Sequence, residues 1–129
     1  MDNKKFIREL FKNVFESPEF NEDFIRRNVD TAYIQHVDGK TLGYNEFAQH
    51  IKLLKTKVSI CSVEFLTLVE DGEILFSNHI ISITLKDGAQ GKSHVIAEFR
   101  IKDGKLYYCD ELTSLIEGRE QDKDLGSAH

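Results

Sequence analysis

Two Asp-Gly pairs, Asp71-Gly72 and Asp103-Gly104, each stand between long runs rich in Ile, Val, Leu, Phe and Thr. A two-residue Asp-Gly loop is the strongest short-range hairpin signal, because the tight turn that matches strand twist needs positive φ at its centre. The pattern predicts one hairpin from Val58–Glu70 and Glu73–Leu85, and another from Ser93–Lys102 and Lys105–Leu115. A longer loop at Lys86–Lys92 separates them. A four-stranded antiparallel meander occupies the second half of the chain on this reading.

The first half changes period. From Lys4 to Glu16, Phe6, Leu10 and Val14 recur at helical spacing, with Ile7, Phe11 and Phe15 widening the stripe. Ser17-Pro18 ends that helix, since the residue before proline avoids the α region. Asn21 suits the N-cap of a second, shorter helix, with Glu22 and Asp23 at its positive end. Thr31 to Val37 reads as a strand closed by an Asp38-Gly39 turn, and Gly43 opens a third helix over Tyr44 to Lys55. Helices first and a meander afterwards predict an α+β fold, with the helices on one face of the sheet.

The chain has 129 residues, 40% of them hydrophobic and 30% charged, which fits one domain spanning 1–129. A chain of this size buries roughly two-thirds of its unfolded surface and needs no staples. No apolar run approaches the ~18 residues that cross a bilayer, and Met1 to Phe6 lacks the pattern of a secretory signal. A cytoplasmic location without membrane attachment is the expectation. The net charge of −5 disfavours general nucleic-acid binding, which needs clustered cations. Cys61 and Cys109 have neither metal nor redox spacing, so they read as reduced strand residues, and no metal or cofactor is expected. The polar stretch 118–129 reads as a frayed tail.

Strand parity selects the candidate site. With Asp103-Gly104 as a two-residue loop, Ile101 pairs with Leu106, Phe99 with Tyr108, Ala97 with Asp110 and Val95 with Leu112. Directly paired residues share a face. The next strand presents Leu75, Ser77, His79, Ile81, Ile83 and Leu85 to the same side, and the Asp71-Gly72 loop sets His79 against Glu64. Glu64, His79 and Asp110 are thereby expected on one apolar face, with Asp110 about 10 Å from His79, two strands over. Buried charge must be paired or solvated, so these groups either satisfy one another or line a pocket. A carboxyl at position 110 in such a pocket would have a raised pKa and could act as a general acid or base.

The stretch Tyr33-Ile34-Gln35-His36, with Asp38-Gly39 and the Gly43-led helix, resembles the entry segment of the nuclear transport factor 2-like superfamily, SnoaL-like branch. Phe99-Arg100-Ile101-Lys102-Asp103-Gly104-Lys105-Leu106 resembles that branch's hairpin, and the endings Cys109–Thr113 and Asp122–Ser127 resemble small bacterial members. The resemblance spans nearly the whole chain in element order. It implies a cone: a strongly curved antiparallel sheet with helices on its concave face and a pocket at the wide end. It also implies homodimerisation through the outer sheet face, for which Val63, Phe65, Phe76 and Ile80 are candidates. Members include ketosteroid isomerases, polyketide cyclases, dehydratases and epoxide hydrolases, besides non-catalytic binders. Their enzymes use an acid on an inner strand with Tyr, His or a second acid nearby. Asp110, His79 and His36 are therefore the expected catalytic residues, and Tyr33, Glu64, Phe99 and Tyr108 the expected ligand contacts. Trp is absent, and Asp110 stands where cyclase-like members often carry an aromatic residue.

Three functions follow as expectations. The first is binding of a small, largely apolar or carbonyl-containing molecule in the cone. The second is acid–base catalysis of the isomerase, cyclase or dehydratase type. The third is a dimeric interaction module without a ligand.

Overall fold

The computed structural model describes residues 2–118. The chain begins with helix α1 (Asn3–Phe11), capped by the Asp2 carboxylate accepting from the Lys5 amide at 3.1 Å. A single wide π-helical turn, Lys12–Glu16, continues it, closed by the Ser17 amide donating to the Lys12 carbonyl at 3.0 Å. The expected helix thus has the right reach and a different last turn. Ser17 is extended ahead of Pro18, as steric contact with the proline ring demands. The ammonium of Lys55 donates to the Phe15 and Ser17 carbonyls, which the wide turn leaves open. Asn21 caps α2 (Glu22–Asn28) by accepting from the Phe24 amide at 3.0 Å.

Strand β1 (Val29–Val37) turns at Asp38-Gly39 into β2 (Lys40–Gly43), a short strand that alternation alone did not mark. Helix α3 (Tyr44–Lys57) buries Phe47, Ile51 and Leu54. Then come β3 (Val58–Asp71), β4 (Ile74–Leu85), β5 (Gln90–Lys102) and β6 (Lys105–Glu117). The strand order is β2-β1-β6-β5-β4-β3, with every neighbour antiparallel except the β1–β6 pair. The sheet is curved and unclosed, and the helices cover its concave side, so the α+β cone is the observed fold. All but the first residue of the expected tail 118–129, and the resemblance seen at Asp122–Ser127, lie outside the described residues.

One of the two hairpin turns has the simple form and the other departs from it. At Asp103-Gly104 both residues have positive φ (53° and 75°), the geometry expected of the tight turn. Between β3 and β4 the loop is Gly72-Glu73, because Asp71 pairs with Ile74. Only Gly72 has positive φ there (63°), so the glycine comes first in the turn instead of second.

Register breaks then decide which side chains point inward. In β6 the pairing runs Ile101 with Leu106, but Arg100 with Tyr108, leaving Tyr107 as an extra residue. This β-bulge flips the parity of everything after it. Phe99 pairs with Cys109, Glu98 with Asp110 and Ala97 with Glu111. In β3 a break at Leu66 sets His79 against Phe65 and turns Glu64 outward beside Ile80. The β4 set Leu75, Ser77, His79, Ile81, Ile83 and Leu85 is buried as expected. Val63 and Phe65 pack against the core instead of lying on the outer face, while Phe76 and Ile80 do face outward.

Candidate functional site

The concave face of the cone collects polar groups from three strands. Glu111 of β6 is 5% exposed and sits between Ala97 of β5 and Val37 of β1 in the register. Its Oε2 receives a long contact from the Cys109 thiol at 3.9 Å, and its Oε1 has no hydrogen-bond partner among the described residues. Tyr33 and Gln35 project inward from β1, both buried, and the Tyr33 hydroxyl donates to Gln35 Oε1 at 2.6 Å. Burial is the main force holding the Glu111 pKa well above the usual carboxylate range; the charges of Asp38 and Asp110 add to it. Burial likewise raises Tyr33 and Cys109 well above their ordinary values, with Glu111 contributing to both. Every acid in this cluster is therefore biased toward its neutral form, and a neutral carboxylic acid is a hydrogen-bond donor.

Glu111, Tyr33 and Gln35 line a cavity whose remaining wall is apolar, including Phe11, Phe15, Phe47 and Phe99. The cavity measures about 20 Å³, room for a single water molecule. The cone is thus nearly filled, and what fills it is the N-terminal segment. Phe11 of α1 reaches down between Phe65, Phe99 and His79, with ring centroids 5.2, 5.7 and 5.2 Å away.

His79 of β4 is fully buried, and its Nδ1 lies 2.8 Å from Ser77 Oγ. Its Nε2 has no partner among the described residues. Burial, with the nearby His94 as a smaller influence, lowers its pKa to about 4, so it is a neutral imidazole near pH 7.

The expected site residues divide between the two faces of the sheet. His79, Tyr33 and Phe99 point into the cone. Asp110 does not: the bulge at Tyr107 turns it onto the outer face, exposed, opposite Glu98 and beside His36. The same bulge places Tyr108 outside, half-buried, under the Arg100 guanidinium at 4.6 Å. His36 also faces outward, its Nδ1 3.0 Å from Thr41 Oγ1 and its ring 5.7 Å from Tyr108. Glu64 is exposed on β3 and not beside His79. Asp110, Tyr108, His36 and Glu64 therefore do not share a pocket with His79. Glu111, Gln35 and Cys109 take the inner positions, and simple alternation from the Asp103-Gly104 turn assigns Glu111 and Cys109 to the wrong side.

No group of three or more His, Cys, Asp or Glu side chains among the described residues is arranged to hold a metal ion. No helix among them is long and apolar enough to cross a membrane.

Comparison with known proteins places this geometry in context. The chain is 32% identical over 126 residues to the uncharacterized protein C11D3.04c of Schizosaccharomyces pombe, a match covering 98% of this chain and 96% of that one. No family model matches it. Among solved structures, an LEH-like epoxide hydrolase of M. tuberculosis superposes with a TM-score of 0.71 at 16% identity, over 86% of this chain and 84% of that one. An NTF2-like protein of unknown function from Exiguobacterium sp. 255-15 gives 0.69 at 15% identity, over 83% and 97%. A de novo designed protein with a curved β-sheet gives 0.62 at 14%, over 96% and 90%.

Proposed function

This chain belongs to the family of the Schizosaccharomyces pombe protein C11D3.04c and has the nuclear transport factor 2-like fold, and from that premise we propose that its cone takes up a small, largely apolar molecule anchored at Glu111. One observation carries the reading: Glu111, 5% exposed, keeps a carboxyl oxygen without a hydrogen-bond partner among the described residues, in a cavity walled mostly by apolar side chains. A buried acid of that kind costs several kcal/mol unless something satisfies it. The chemistry it selects is an acceptor, a carbonyl or hydroxyl oxygen, because burial biases the acid toward its neutral, donating form. Tyr33 and Gln35 supply further polar contact at the same end.

A cavity of about 20 Å³ cannot hold such a molecule as it stands, so uptake requires Phe11 and Phe15 to swing aside with the π-helical turn. π-helical turns occur disproportionately at functional positions, and this one lies beside the cavity. The test is a ligand-dependent thermal shift with acetophenone, an apolar ring with one carbonyl. Saturable stabilisation in the wild type, lost in Glu111→Leu, is the expected result. Absence of any saturable stabilisation, even in Phe11→Ala where the plug is removed, would overturn the reading.

Acid–base turnover rests on the same carboxyl. If the site is catalytic, Glu111 takes the role that parity assigned to Asp110, donating its proton to the bound oxygen. Glu111→Gln then abolishes turnover while retaining binding.

The outer sheet face favours a homodimer. Leu112, Phe76 and Ile96 lie there at 67%, 48% and 45% exposure, next to Arg100, Asp110 and Glu98. A two-fold axis sets such a patch against its own copy, apolar centre on apolar centre and Arg100 within reach of the other copy's carboxylates. Leu112→Glu is expected to shift the sedimentation coefficient to that of a monomer. A wild type already monomeric at 50 μM removes the dimer.

A further inference from the structure

Two buried polar atoms without partners among the described residues share the concave face, Oε1 of Glu111 and Nε2 of His79. Their strands are separated by β5 alone. Glu111 stands in a cross-strand row with Ala97 and Ser77, and His79 in the adjacent row with Val95. Their Cα atoms are thus about 10 Å apart across the sheet and about 7 Å along it, and the concave curvature tips the side chains toward each other. The residues between them on β5, Val95 and Ala97, are small. Above that low floor stands the ring of Phe11, which touches His79 and also lines the Glu111 cavity.

We propose that the cone recognises a flat or cyclic apolar molecule carrying an oxygen function at each end, one met by Glu111 and the other by His79. This rests on the uptake of a ligand at Glu111 and adds the second pole. The ligand's ring takes the place that Phe11 occupies in the closed cone. Glu111 donates to the acceptor oxygen at its end. His79 meets a hydroxyl at the other end in either tautomer, since Ser77 Oγ can donate to Nδ1 or accept from it and the ligand hydroxyl can do the complementary thing. A ligand with one oxygen leaves one of the two buried atoms unsatisfied and is discriminated against for that reason.

The test compares 4-hydroxyacetophenone with acetophenone, followed by thermal shift and by the ¹⁵N resonances of the His79 imidazole. The expected result is about tenfold tighter binding of 4-hydroxyacetophenone, the order of one buried hydrogen bond. His79→Leu is expected to erase that preference, and the His79 Nε2 resonance of the wild type should move only with the hydroxylated ketone. Should His79→Leu fail to fold, the wild-type resonance decides alone. Equal binding of the two ketones, or a stationary Nε2 resonance, overturns the second pole. Acetophenone binding that still depends on Glu111 then leaves the single-anchor reading standing. If neither ketone binds Phe11→Ala, both readings fall.

Discussion

Between β4 and β5 the ladder runs from Ile74–Arg100 to Thr84–Gln90 without a break, and alternate residues of both strands are buried in unbroken sequence. The strands on either side are of similar length and composition and behave differently. β6 gains a residue at Tyr107 and at Ile116, and β3 at Leu66 and Ser59. The continuous pair forms the floor of the cone, and the interrupted pair supplies its bend and re-aims its side chains. Bulges increase local twist and let a sheet wrap around a core. The cost of that curvature to alternation is that inside and outside exchange after each bulge. In β6 the exchange puts Cys109 and Glu111 where Tyr108 and Asp110 would otherwise be.

Deleting Tyr107 breaks the comparison most severely. Without the extra residue, β6 pairs as a plain two-residue hairpin in which Arg100 still meets Tyr108 and Ala97 still meets Glu111, so Cys109 and Glu111 stay inside and only the bend of the bulge is lost. A loss of about 4 kcal/mol is expected, since a straightened strand pulls its inward side chains off the rings they pack against. Denaturant unfolding measures the loss. Reaction of Cys109 with a thiol reagent in the native state reports the face it occupies, because that thiol is buried in the intact protein. A variant of unchanged stability would show that the bulge does not supply the bend, and a folded variant with Cys109 newly reactive would show that Tyr107 is not the extra residue.

The same contrast explains what alternation could reveal. The helices, the four-stranded meander and the inward set of β4 were legible, because helical stripes, Asp-Gly turns and an uninterrupted period of two each act locally, whereas the parallel pairing of β1 with β6 is a long-range contact that no local signal marks. His79 was placed on the inner face for that reason, whereas Tyr33, also buried, came from the resemblance alone. Asp110 and Glu64 were not, because a bulge has no composition of its own. It is selected by how the curved sheet closes over Phe11, Phe47 and the other core rings, a tertiary demand that no window of sequence contains. The strand β2 is short, and its residues pair only because the Asp38-Gly39 turn folds them back on β1. The filled interior was equally hidden: the apolar stripe of α1 predicts burial but not that Phe11 occupies the centre of the cone.

A second, smaller effect separates the two regions by pH. His79, on the regular strand, has a folded pKa lowered to about 4 against an unfolded value near 6.5. Between those values the unfolded chain binds more protons, so stability falls as pH drops from about 6.5 to about 4, by about 3 kcal/mol in all. His79→Leu is expected to flatten that acid limb in urea titrations at pH 7, 6, 5 and 4. An identical slope in the variant would show that His79 is not buried as a neutral ring.

The smallest effect tests the bulged strand at adjacent positions. Glu111 has a folded pKa raised above its unfolded value, so its sign is opposite to that of His79. The protonated acid fits the core, and stability is lost as pH rises from the ordinary carboxylate range toward the raised value. Glu111→Gln keeps the shape and removes the ionisation, so it should be more stable than the wild type by about 1–2 kcal/mol at pH 8 and about equal at pH 4. Asp110→Asn, one residue away on the exposed face, should change stability by no more than about 0.5 kcal/mol at either pH. If the two substitutions exchanged behaviours, Asp110 would be the inward residue and the parity of β6 would be that of an unbroken hairpin. The pair is informative because the residues are chain neighbours with the same chemistry, so only the face each one occupies can separate them.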